Sequence, residues 1–121
     1  MPYQITIEST PRYLHVRVTG ENSREAVLGY LAEVNRACVE QQRTNVLIEE
    51  DLRGPSLDML EIFRMVADRA GAPGTMPLRV AFVDVNPAHD TSRMQFAETV
   101  AVNRGLQLRV FARAEDAAAW L

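Results

Sequence analysis

The chain has no lysine; all 13 of its basic residues are arginine. Schiff-base chemistry and a Walker-type phosphate loop both require a lysine amine, so both are excluded. Cysteine occurs once, at Cys38, which rules out an intramolecular disulfide and a cysteine-built metal cluster. Cys38 falls on the apolar side of an expected helix, where a thiol behaves as a small hydrophobe. No apolar run approaches the roughly 20 residues needed to span a bilayer, and the opening "MPYQITIEST" lacks the basic start and apolar stretch of a signal peptide. The expected compartment is therefore the cytoplasm, with no membrane partner. The net charge of -3 supplies no basic field, which argues against nucleic acid as a partner. GxSxG, HExxH and DxDxDG are absent, and "GAPG" precedes a strand instead of following one, so no metal and no cofactor is expected.

What remains is an ordinary globular composition: 121 residues, 47% hydrophobic and 24% charged, enough for one domain over residues 1–121 with its own core. "YQITIES" and "YLHVRVTG" both alternate with period two and flank "TPR", which predicts a β-hairpin. His15 lies on the polar side of its second strand, where the local sequence offers it no catalytic partner. Asn22 reads as the N-cap of a helix over residues 23–42, with Glu25 at the third helical position and Val27, Leu31, Val34 and Cys38 as the inward stripe. "NVLIEED" is a buried strand that ends in acids, and "SLDMLEIFRMVADRAG" is a second helix stopped at Gly71. "LRVAFVDV" is a further strand. Asp90 or Thr91 caps the helix in "TSRMQFAETVAVNRG", with Met94, Ala97 and Ala101 inward and Phe96 and Val100 beside them. "LQLRVFA" and "AEDAAAWL" close the chain as a strand and a short helix, with Trp120 packing onto the core.

The order ββαβαβαβα predicts an α/β fold with a five-stranded mixed sheet and about four helices on it. Only the first strand is antiparallel, because strands joined through helices must run parallel. Ligand sites in such sheets gather beyond the carboxyl ends of parallel strands. Two ends carry polar side chains here: Glu49, Glu50 and Asp51 on one, and Asp84, Asn86, His89 and Asp90 on the other, with Arg93 one turn further on. These read mainly as solvated strand tips, with Asn86 and Asp90 organising turns. Asp84 with His89 is the weakest of the alternatives, an acid-base pair for hydrolysis or isomerisation.

Carried by "LIEEDLRGPSLDMLEIF", "VAFVDVNPAHDTSRMQFAETVAVNRG" and the terminal "EDAAAWL", the whole chain resembles the STAS domain, and within it the SpoIIAA-like bacterial proteins related to anti-sigma-factor antagonists. The resemblance implies a non-enzymatic regulatory or protein-interaction role, with a regulatory protein or a second copy of the chain as partner. It also implies a phosphoacceptor serine in the turn after the third strand. Asp51 corresponds to the acid of that motif and Ser56 is the turn's only hydroxyl, although Gly54-Pro55 replaces the motif's usual Ser-Gly. The implied partner surface comprises Asp51, Arg53, Ser56 and Asp58 with Asp84, Asn86, His89, Asp90 and Arg93. The alternative is a small-ligand or lipid site in the crevice between the same turns, lined by Leu52 and Met59. Residue chemistry alone gives Ser56 a plainer role, as a cap in the first helical turn after Pro55.

Overall fold

A computed structural model of the chain describes residues 3–54, 79–85, 91–103 and 107–121, and within 91–103 leaves the side chains of 91–94 and 97 aside. The hairpin pairs β1, Tyr3–Ser9, with β2, Leu14–Glu21. Its loop is tied by Thr10, whose amide donates to the Tyr13 carbonyl at 2.9 Å and whose Oγ1 accepts from the Tyr13 amide at 3.1 Å. Helix α1, Arg24–Gln41, leads to β3, Asn45–Arg53. Beyond the next described segment, β4, Arg79–Asp84, come α2, Thr91–Asn103, β5, Gln107–Phe111, and α3, Ala114–Trp120. The strands form one sheet in the order β1-β2-β3-β4-β5. β1 is antiparallel to β2, and every other neighbouring pair is parallel, the arrangement that crossover connections produce.

The strand pleat sorts side chains between two cores. On one side Leu14, Val16, Val18, Val46, Ile48 and Leu52 pack with Ala26, Tyr30, Val34 and Cys38 of α1. On the other, Leu47, Ala81 and Val83 pack with Ala117 of α3, with Trp120 and Leu121 against them. The α3 side does not cover β1 and β2: Gln4, Thr6, Glu8, Arg17 and Thr19 there are exposed, which explains their clean polar alternation. At the far edge, the Val110 amide of β5 donates to Glu98 Oε2 of α2 at 2.8 Å. Of the residues expected inward on α2, Ala101 and Val100 are buried, while Met94 and Ala97 lie outside the described side chains.

Helix α1 departs from expectation at both its cap and its stripe. Ser23, not Asn22, is the N-cap: its backbone is extended and its side chain accepts from the Ala26 amide at 3.1 Å. Asn22 is instead the last link to the sheet, its amide donating to the Arg53 carbonyl at 2.7 Å. Moving the cap by one residue takes Glu25 out of the capping-box position. The inward stripe is Ala26, Val27, Tyr30, Val34 and Cys38, and Leu31 faces outward, 38% exposed. Gly29 is the point of closest approach to β1, since a Cβ there would sit 2.9 Å from the Tyr3 ring. At the other end Gln42 takes the left-handed conformation, φ 54, and its amide reaches the Cys38 and Val39 carbonyls. A side chain in that conformation costs about 1 kcal/mol that glycine avoids. Gln42→Gly is therefore expected to stabilise the protein by about 0.5–1 kcal/mol, read as a rise in the urea midpoint at unchanged slope.

Among the described residues, no helix is long and apolar enough to cross a membrane. The second expected helix, from Ser56 to Gly71, lies outside the described residues, so the structure describes three helices.

Candidate functional site

The carboxyl end of β3 is where the expected polar residues meet the sheet. Because alternate residues face opposite sides, Glu49 and Glu50 are parted by the sheet itself. They cannot serve together as an acid-base pair, and neither is a solvated strand tip. Glu50 shares the inward row with Val46, Ile48 and Leu52 and is 6% exposed. A carboxylate in that row is tolerable only with donors at hand, and α1 supplies one, the Tyr30 hydroxyl donating to Glu50 Oε2. Tyr30 is itself fully buried, so each group satisfies the other. Asp84 of β4 stands directly across the ladder from Glu50.

The Tyr30 hydroxyl consequently holds its proton well above the ordinary value of 10.0, through burial first, then the charge and hydrogen bond of Glu50, then the charge of Asp84. A phenol so held is a hydrogen-bond donor at neutral pH and not a base or nucleophile. The Tyr3 ring meets Tyr30 edge-on at 6.4 Å and donates its own hydroxyl to Glu33 at 2.6 Å. That bond, with burial, raises the Tyr3 pKa as well.

On the opposite face, Glu49 Oε1 lies 2.8 Å from His15 Nε2, and Arg17 Nε lies 3.9 Å from Glu49 Oε2. The partner that the local sequence denies His15 thus arrives 34 residues later, through the parallel β2-β3 register. The Tyr13 ring closes over His15, edge-on at 6.1 Å. Asp51, half-buried, follows Glu49 on this face opposite Thr19.

β3 then outruns β4. The ladder to β4 ends at Glu50 and Asp84, whereas that to β2 continues through Leu52 with Gly20 and Arg53 with Glu21. Arg53 is exposed, and Gly54 adopts φ 108, a conformation strained for any residue with a Cβ. Leu52 is fully buried in the α1-side core, so it does not line a crevice as expected. Ser56, Asp58, Met59, Asn86, His89 and Asp90 lie outside the described residues, as does the side chain of Arg93, whose backbone is in the first turns of α2.

Sequence reasoning missed Tyr30 altogether. Its signal was a tyrosine three residues after Val27 and four before Val34, a core position at which the hydroxyl requires a buried acceptor. Among the described residues no three His, Cys, Asp or Glu side chains converge as a metal site needs. A shallow, open hollow of about 500 Å³ lies between Arg79, Glu98, Arg109 and Trp120. It sits at the amino-terminal end of β4 and β5, opposite to the crevice expected at the carboxyl ends. Arg79 is already engaged there, stacked 3.9 Å over the Trp120 ring and donating to the Trp120 carbonyl at 2.7 Å. Neither a scan against protein-family models nor a search of curated proteins yields a match to the chain.

Proposed function

We propose that the chain is a non-enzymatic regulatory domain of the STAS kind, similar to anti-sigma-factor antagonists, working in the cytoplasm through a protein partner. The observation that carries this reading is the protruding end of β3. Its three last residues are anchored by the β2 ladder and by buried Leu52, yet Arg53 is exposed and Gly54 turns the chain away at φ 108. A strand end held in place that presents the exposed Arg53 suits recognition by a partner, since little order must be acquired on binding. Asp51, Arg53, Ser56 and Asp58 form the near part of the surface, and Asp84, Asn86, His89, Asp90 and Arg93 the neighbouring part.

The chemistry of the strand end favours binding over turnover. Glu49 and Glu50 are separated by the sheet, and Tyr30 is locked as a donor to Glu50. Ser56 is the hydroxyl whose phosphorylation would add roughly -1.5 to -2 charges to this surface. Capture from the source cell with the wild-type protein is expected to recover a kinase or a sigma-regulatory protein. Arg53→Glu and Ser56→Asp should each reduce that capture severalfold with far-UV circular dichroism unchanged. Equal capture by all three forms would overturn the assignment of this turn.

A further inference from the structure

Helix α1 is apolar on two sides. Beyond its inward stripe, Leu28, Leu31 and Val39 are 43%, 38% and 52% exposed, and Ala32 between them is exposed too. These positions share one face of the helix: Leu28, Leu31 and Ala32 are contiguous, the polar Asn35 sets Val39 apart from them, and the exposed Arg24 lies on the same face one turn before Leu28. Scattered exposed leucines are ordinary, but the clustering of Leu28, Leu31 and Ala32 on one turn makes a local apolar patch of the kind that marks an interaction surface. We infer that this face of α1 is the interface of a homodimer, in which two copies pack α1 against α1, antiparallel, across a two-fold axis at Leu31.

The charges beside the patch select that occupant. Measured around the helix from Leu28 at 100° per residue, Glu25 lies at about +60° and Arg36 at about +80°, on the same flank. Antiparallel helices bring like flanks together. Glu25 precedes Leu31 by about 9 Å of helix and Arg36 follows it by about 7.5 Å. Each Glu25 therefore falls opposite the other copy's Arg36 within about 1.5 Å, and symmetry makes the pair twice. Both side chains are exposed, and Glu33 holds Arg36 only at 3.9 Å, within easy reach of a better partner. A parallel arrangement would instead bring unlike flanks together and leave Glu25 and Arg36 on opposite sides of the interface, with no opposite charge across from either. At the axis Leu31 meets its symmetry mate, Leu28 packs between the other copy's Ala32 and Asn35, and the small Ala32 allows close approach. One face of an 18-residue helix buries less than the roughly 1,200 Å² of a standard interface, so the dimer is reversible and concentration-dependent.

Sedimentation equilibrium of the full chain from about 1 to about 500 µM tests the interface, a range that covers weak self-association. The wild-type protein should shift from monomer to dimer. Leu31→Glu, which sets two carboxylates together on the axis, should weaken association at least about tenfold. Glu25→Arg and Arg36→Glu should each weaken it, and the double exchange should restore it. Leu31→Cys should form an intermolecular disulfide under mild oxidation, because the native Cys38 is buried. Circular dichroism checks that each variant is folded. A monomer throughout the range would overturn the proposal, as would a dimer indifferent to Leu31→Glu or charge variants whose combination fails to restore association.

Discussion

Tyr30→Ala is expected to remove about 4 kcal/mol of stability, and Tyr30→Phe about 1–3 kcal/mol. The larger figure combines the cavity left by a fully buried aromatic side chain with the loss of the hydroxyl donor to Glu50. The smaller isolates the donor, since phenylalanine fills the space but leaves a buried carboxylate one hydrogen bond short. Against the 5–15 kcal/mol that hold a typical domain together, the alanine variant is close to unfolding. Urea denaturation of both variants separates the two contributions, and a Tyr30→Phe variant as stable as the wild type would mean that the hydroxyl does nothing.

The same pair sets the alkaline limit of stability. Below pH 10 the Tyr30 proton is retained in both folded and unfolded chains, so this group adds no pH dependence. Above the ordinary value of 10.0 the unfolded chain loses it while the folded chain, whose pKa is raised, keeps it. The folded state then binds more protons, and stability falls with rising pH by up to about 1.4 kcal/mol per unit until the folded pKa is reached. Tyr3, also raised, adds to the same slope. In Tyr30→Phe the alkaline slope should be shallower by one proton; identical slopes would show that Tyr30 ionises freely.

Trp120→Ala is expected to cost about 3 kcal/mol and to release α3 from the sheet. A helix of seven residues is too short to hold itself together in water, and of its residues only Ala117 is fully buried. Trp120 supplies the rest: it packs 5.7 Å from Phe111, covers the Leu47, Ala81 and Val83 cluster, and receives the Arg79 guanidinium on its ring. Hydrogen exchange should show the amides of Ala114–Trp120 losing protection in the variant while those of β2 and β3 retain it. Unchanged protection in α3 would mean that other contacts hold the helix.

The frame of the molecule was legible because its signals are periodic. Alternation marked β1 and β2, the apolar run "NVLI" marked β3, and the intervening helices dictated parallel pairing. Boundaries were less certain for a local reason: Asn22 and Ser23 are both good caps, and the amide of Asn22 was claimed by Arg53. Leu31 was misplaced because α1 is apolar on two sides, and a stripe count cannot tell which of them faces the sheet. At the site, the adjacency of Glu49, Glu50 and Asp51 in sequence suggested one acidic cluster. The pleat divides them, sending Glu50 to Tyr30 and Glu49 to His15, partners 20 and 34 residues distant. Pairings at that range depend on register and helix rotation, which composition and periodicity do not encode.

The carboxylate of Glu98 on the Val110 amide has a bearing on aggregation. An edge strand is a template: a foreign strand docks by reading its unpaired amides in sequence, and fibre growth begins from such a docking. On β5 the amide of Val110 is already taken by a side chain anchored on α2, and an incoming carbonyl would have to displace an anion to reach it. Seeding of fibres from this margin is obstructed by a single acid, without proline or a bulge.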